Sequence, residues 1–149
     1  MSLAYRSFSV SQLTMSIIVT AEEEILVGRE VVIEGPAPDS PFTVLFEDDG
    51  TTGYFYAWDL EAEGNKIQDA VHIYNVNDVT GRDRPSVVKI AWSKDSQKTV
   101  LLINGYPHAV FDFSARRGYC RTGFPPPPSN GVWSVAGHQW DDSAIELFR

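Results

Sequence analysis

The stretch Pro41–Leu60, PFTVLFEDDGTTGYFYAWDL, leaves this chain few folds to choose from. Phe42, Val44 and Phe46 alternate with Thr43, Leu45 and Glu47, the period of two that belongs to a strand. Glu47-Asp48-Asp49-Gly50-Thr51 interrupts it, and Asp49-Gly50 is a hairpin pair because glycine accepts positive φ. Gly53–Asp59 then resumes the alternation, with Tyr54, Tyr56 and Trp58 on one face and Phe55 and Ala57 on the other. Aromatic cross-strand pairs add about 0.2–1 kcal/mol each over alanine, so this hairpin is a natural nucleus. Two strands alone are marginal, and further strands must cover one face. Two readings of the Tyr54/Tyr56/Trp58 face compete: a ligand platform, or a core lining whose hydroxyls reach the rim. The second is the expectation, since large aromatics usually line cores.

Taken in order, Ser16–Thr20 is a β-branched run, and Glu24–Glu34 suggests two short strands around Val27-Gly28-Arg29. Gly35–Pro41 holds three prolines and is a connection. After the hairpin, Ile67, Asp69, Val71 and Ile73 alternate against Gln68, Ala70, His72 and Tyr74, which predicts a strand. Asn77–Pro85 is a charged loop, and Ser86–Ser93 and Thr99–Ile103 are further strands. Asn104-Gly105 predicts a hairpin pairing Thr99–Ile103 with His108–Phe113, with Ala109, Phe111 and Phe113 facing the core. Pro107 then belongs at the strand start, where no ladder donor is needed. From Ser114 the pattern stops: an Arg-rich stretch leads into Phe124 and Pro125–Pro128, expected to be an extended, stiff crossover packed on Trp133 or Trp140. Asp141 or Asp142 is positioned to cap a short helix carrying Ala144, Ile145 and Phe148. Strands in sequence joined by short turns are mainly antiparallel. The expected fold is mainly β, with α+β as the alternative: a single-domain antiparallel meander sheet with a long Pro-rich loop and a short C-terminal helix, the terminal segment closing one face. Residues 1–24 read as an N-terminal extension, partly strand, and 25–149 as one globular β-rich domain.

A chain of 149 residues fits one domain, long enough to bury about two thirds of its unfolded surface. Its 43% of hydrophobic residues supply a core that a disordered chain lacks. Twelve basic against twenty acidic residues give a net charge of -8. That argues against nucleic acid and anionic membrane, and it suits a basic protein partner. Cys120 is the single cysteine, so no intrachain disulfide forms, which points to a reducing compartment and a cytoplasmic protein. No run reaches the roughly 18 apolar residues of a membrane span. Leu13–Ala21 is briefly apolar but is preceded only by Arg6 and followed by Glu22-Glu23-Glu24, a poor signal peptide. Residues 1–14 are serine-rich and read as loosely held; Met1-Ser2-Leu3 are candidate vector residues and Met15 a second candidate start.

Four strings, FEDDGTTGYFYAWD, DAVHIYNV, LLINGYPHAVFDF and RGYCRTGFPPP, resemble a small uncharacterised bacterial family, domain of unknown function 2251. The resemblance runs from about Ile25 to the C-terminus. It implies a bacterial, cytoplasmic, single-domain protein. It brings no established activity and therefore no catalytic residue.

Chemistry-bearing residues are sparse. His72, His108 and His138 are the three histidines, and no HxH, HExxH or CxxC spacing exists, so no metal site is expected. His108 and Asp112 share a strand face but stand about 13 Å apart at about 3.3 Å per residue, too far for one ion. Asp69 and His72 point to opposite faces. Glu47, Asp48 and Asp49 lack the spacing of a calcium loop and read as turn chemistry. Cys120 has Arg116, Arg117 and Arg121 near it in sequence, which favours a thiolate, but a base such as His108 or His138 must come from elsewhere; a buried structural cysteine is the expectation. There is no GxSxG elbow, no phosphate loop, no catalytic set that can be named and no implied cofactor. Arg116, Arg117 and Arg121 with Tyr119 could grip a carboxylate or phosphate, although internal pairing with Asp112, Asp141 or Asp142 is the simpler expectation.

The sequence names no activity, and the balance leans away from an enzyme. The leading reading is a non-enzymatic binding module, immunity- or inhibitor-like, with an acidic surface against a basic partner and contacts from Glu47, Asp48, Asp49, Tyr54, Tyr56 and Trp58. The first alternative is a small enzyme or anion-binding protein with a site at Arg116, Arg117, Tyr119 and Arg121, and Cys120 and His108 as reactive groups. The second is a structural module that oligomerises through a strand edge. Oligomeric state is not legible.

Overall fold

In a computed structural model, residues 16–133 and 136–148 are described. The readings for residues 1–14 and for Met1 and Met15 as starts lie outside them. Two antiparallel sheets face one another. The four-stranded sheet runs β2 (Val31–Pro36), β3 (Phe42–Asp48), β4 (Thr52–Asp59), β5 (Ile67–Asn75), in sequence order. The five-stranded sheet has the order β1 (Ile18–Ile25), β6 (Ser86–Trp92), β7 (Lys98–Ile103), β8 (Tyr106–Asp112), β9 (Arg117–Cys120). The expected meander is present as two runs, β2–β5 and β6–β9, and β1 crosses over to pair with β6. Local alternation gives the strands up to β8 but not which sheet each joins, and β9 forms in the arginine-rich stretch where the sequence pattern was read as ending, held there by pairing with β8. The split comes where Val76–Asp78 forms a single 3-10 turn and the charged loop carries the chain across.

The two sheets seal one core. Val44, Phe46, Phe55, Ala57 and Val71 from one meet Val88, Ile90, Trp92, Leu101 and Phe111 from the other, and all ten are fully buried. Phe55 stacks on Phe111 at 5.0 Å. Trp92 donates its indole N–H to the Gly35 carbonyl at 3.0 Å, a hydrogen bond across the layers. Gly35 is required there: a Cβ would drive into the Ile90 side chain. Gly35→Ala is therefore expected to cost about 1–3 kcal/mol by overpacking, read as a lower midpoint in urea denaturation.

Turn chemistry follows the sequence. Gly50 has φ +93, and Asn104 and Gly105 both have positive φ, the pair that a tight two-residue hairpin requires. Pro107 sits one residue into β8, beside a bulge where Leu101 opposes Ala109 and Leu102 opposes Pro107. A second bulge, between Gly53/Tyr54 and their β5 partners Tyr74/His72, inserts Ile73 and turns Tyr74 inward over Gly53. Strict alternation had placed Tyr74 beside His72; the extra residue overrides it.

The outer face of the five-stranded sheet is closed, as expected, by the C-terminal segment. Ala144 and Phe148, at and after α1 (Ser143–Glu146), cover Ala91, Val100, Leu102 and Val110. Asp141 accepts from the Ser143 N–H at 2.9 Å, whereas Asp142, at the cap position, makes no cap bond. Between β9 and α1, the proline stretch forms a strap. Its Phe124–Pro125 bond is cis. The strap is pinned by His72 N–H donating to the Phe124 carbonyl at 2.8 Å and by the Thr122 hydroxyl donating to the His72 carbonyl at 2.8 Å. Trp133 plugs it into the core against the edges of Phe111 and Phe113.

Candidate functional site

The outer face of the four-stranded sheet is not closed by the C-terminal helix. Alternation along its strands sends Val44, Phe46, Phe55 and Ala57 inward, so their neighbours point out. Cross-strand register then aligns Val32, Glu47, Tyr54 and His72 in one row and Glu34, Leu45, Tyr56 and Ala70 in the next. Trp58 follows, opposite Thr43. Tyr54, Tyr56 and Trp58 are partly exposed and Val32 is 58% exposed. The core-lining expectation for these three aromatics is overturned: Phe55 and Ala57 fill the core, and the ladder forms a half-exposed aromatic platform on the outer face of the sheet. The reason is the burial of the opposite face against the second sheet, which the larger number of aromatics on the Tyr54 face argued against.

The platform continues off the sheet. Tyr54 stacks with Tyr56 at 5.9 Å and meets the His72 ring edge-on at 5.4 Å; Phe124, from the strap and 51% exposed, meets His72 edge-on at 5.8 Å. Tyr54, His72 and Phe124, together with Tyr74, Asn75 and Asp78, line a cleft of about 540 Å³. Asn75 donates from Nδ2 to Asp78 Oδ2 at 3.2 Å, which turns its Oδ1 toward His72 Nε2 at 3.0 Å. The Nε2 nitrogen therefore carries the ring proton.

The rim is acidic. Asp49 Oδ1 accepts from the Thr52 and Thr51 N–H groups at 2.8 and 2.9 Å, and these bonds hold its carboxyl below the usual range. Burial, then the Glu47 carboxylate 3.5 Å away, raises the Tyr56 phenol; burial likewise raises Tyr54. Both remain hydrogen-bond donors at neutral pH. Neither platform row contains a lysine or arginine.

Asp48 leaves the set of contact residues. It is 1% exposed, and its carboxylate accepts from Gly28 N–H at 2.7 Å, Gly50 N–H at 2.8 Å and the Tyr74 hydroxyl at 2.7 Å. Alternation from Phe46 assigns it inward, and the turn then folds over it.

The Arg116–Arg121 stretch does not form an anion grip. Arg117 and Arg121 lie on the outward face with Tyr119, and their guanidinium groups are taken by different rings: Arg117 over Tyr119 at 4.6 Å, Arg121 between Tyr106 at 4.6 Å and Trp140 at 3.8 Å. Arg121 also donates to the Pro107 carbonyl at 3.0 Å. Among the described residues neither Arg116 nor Arg117 makes an ion-pair contact with Asp112, Asp141 or Asp142, although the Arg117 charge contributes to lowering the Asp141 carboxyl, after its bonds to Ser143. Asp112, Asp141 and Asp142 accept instead from Ser114 and Ala115, from Ser143, and from the Trp140 indole.

Cys120 faces inward at 0% exposure, on the opposite side of β9 from the arginines. Burial raises its thiol, only partly offset by hydrogen bonds from the Thr122 region. His108 is also buried, and burial with Arg121 behind it pushes its pKa down to about 3. Thiol and imidazole stand on opposite faces, so they form no nucleophile–base pair. His138 binds Asp69 instead, inside the sandwich. Among the described residues no three His, Cys, Asp or Glu side chains gather as a metal-ligand set.

Sequence reading missed His72, Phe124, Asp78, Leu45, Glu34 and Val32. Leu45 was recoverable from alternation alone, and the pairing of β2 with β3 would have added Val32 and Glu34. Phe124 and Asp78 come from loops whose positions only tertiary contacts fix.

A family model described as an uncharacterized protein conserved in bacteria, domain of unknown function 2251, matches residues 25–149. The chain belongs to this family. The match to family 2251 starts at the last residue of β1 and takes in the whole platform, the strap and the cleft. A similar chain, 38% identical over 118 residues, covering 78% of this chain and 73% of its own length, is a protein of Haemophilus influenzae named as an uncharacterized protein. No solved structure matches. No helix among the described residues is long and apolar enough to cross a membrane.

Proposed function

We propose that this member of family 2251 is a non-enzymatic, cytoplasmic protein-binding module that holds a basic partner on the outer face of its four-stranded sheet. One observation supports the reading most: Tyr54, Tyr56 and Trp58 lie partly exposed in rows that also carry Leu45, Glu34 and Glu47, with Asp49 at the turn and no lysine or arginine. Aromatic anchors supply contact area at low entropic cost, and carboxylates around them steer a cation-rich surface and reject an acidic one. An immunity or inhibitor protein that neutralises a bacterial toxin is one form of such a module. The single buried Cys120 suits a reducing compartment.

The test uses lysate of the native organism and two baits, the wild type and the double variant Glu34→Lys/Glu47→Lys. These side chains point away from the core, so the fold is expected to survive. Wild type is expected to retain a basic protein at low salt and release it at high salt, with mass spectrometry showing at least about a tenfold loss on the reversed bait. Equal recovery on both baits, at either salt, would show that this face is not the binding surface.

A further inference from the structure

We infer that the cleft bounded by Tyr54, His72 and Phe124 is a receptacle for one cationic side chain, a guanidinium or an alkylammonium. That a partner presents the cation rests on the reading above; the chemistry of the cleft stands on its own geometry.

The volume, about 540 Å³, is in the range of small-ligand sites and ample for the end of one long side chain. Tyr54 and Phe124 flank the His72 ring, each meeting it edge-on, so the space is aromatic on two sides. Asp78 is the one lining side chain with a formal charge, and no lysine or arginine lines the cleft. Asn75 occupies Asp78 Oδ2, and Oδ1 makes no hydrogen bond among the described residues. A neutral apolar ligand would desolvate that carboxylate without pairing it, and an anion would meet it with like charge. A guanidinium or ammonium satisfies both halves: its aliphatic stem packs on the ring faces and its head meets the carboxylate. The same chain already uses such a geometry for itself, where Tyr106 and Trp140 hold Arg121 between them at 4.6 and 3.8 Å.

The probe is N-acetyl-L-arginine N-methylamide, titrated into the full chain by two-dimensional NMR. The blocked citrulline analogue, of the same shape without the charge, is titrated in parallel. Blocked arginine is expected to shift the amides of Tyr54, His72, Asn75 and Asp78, with citrulline weaker by about tenfold. Asp78→Asn and Phe124→Ala, at two exposed positions, are each expected to weaken blocked arginine by about three- to tenfold while leaving the spectrum elsewhere unchanged. No shift at these amides, equal shifts from both probes, or insensitivity to both variants overturns the inference. The two ideas fail separately. Blocked arginine binding normally beside a Glu34→Lys/Glu47→Lys bait that loses nothing would retire the partner face and keep the cleft. The opposite pattern would retire the cleft alone.

Discussion

Replacing Asp48 with alanine is expected to lower the stability of the fold by about 3–5 kcal/mol, because one buried and two partly buried donors lose one acceptor at about 1 kcal/mol or more each. Those donors are the Gly28 N–H, the Gly50 N–H and the Tyr74 hydroxyl, from three separate segments. Asp48 thereby ties the β1–β2 turn and the β3–β4 turn to β5. Burial first, then the Asp48 bond, holds the Tyr74 phenol far above its ordinary value, so the hydroxyl is a permanent donor. Tyr74→Phe removes one donor rather than the acceptor and should cost only about 1 kcal/mol, a contrast that isolates the carboxylate. Asp48→Asn is expected to fall between, since its amide would set a donor against the Gly28 N–H. Urea denaturation with an unchanged slope measures all three. An Asp48→Ala midpoint within error of wild type would remove the hub from the account. Any loss of partner binding by Asp48 variants would report unfolding, not a lost contact.

The second large effect concerns His138 and Asp69. His138 Nε2 lies 2.9 and 3.0 Å from the two Asp69 oxygens, and Nδ1 lies 2.5 Å from the Pro125 carbonyl. Both ring nitrogens face acceptors only, an arrangement that the protonated ring satisfies in full and that clamps the strap to β5. Burial acts against the charge and Arg117 adds to that, but the Asp69 and Pro125 bonds prevail and raise the pKa above the ordinary 6.5. A folded pKa above the unfolded one stabilises fully below about pH 6.5 and loses that contribution as pH rises through the folded value. Asp69→Asn removes the carboxylate that pairs the protonated ring and is expected to cost about 3–5 kcal/mol below about pH 6.5. His138→Gln should be destabilised at pH 6 and approach wild type as pH climbs. A stability gap between wild type and His138→Gln that stays constant from pH 6 to pH 10 would contradict the clamp. Gly118 belongs to the same design: a Cβ there would collide with Asp69 Oδ2 and displace the pair.

Much of the strand layout was legible. The hairpin of β3 and β4, the Asn104-Gly105 turn, the inward Ala109, Phe111 and Phe113 and the helix around Ala144 and Ile145 all follow from alternation, turn residues and spacing. Period-two logic also separated Asp69 from His72 and, applied to Arg117–Arg121, would have separated Cys120 from its arginines. It failed at Tyr74, where one bulged residue reverses the face, and at Tyr54, Tyr56 and Trp58, where the face richer in aromatics is the outer one.

The sequence by itself determined most of the strands, though not β9 in the stretch read as patternless, as well as where the chain turns and its net negative charge, because those properties rest on local backbone preference and on charge count. The tertiary structure alone decided how the strands divide between two sheets, that Asp48 is a buried hub, and that Phe124 and Asp78 come to stand beside His72. Each of those outcomes depends on contacts between residues far apart in the chain, and local sequence carries no record of which distant partner will satisfy a buried acceptor or flank a ring.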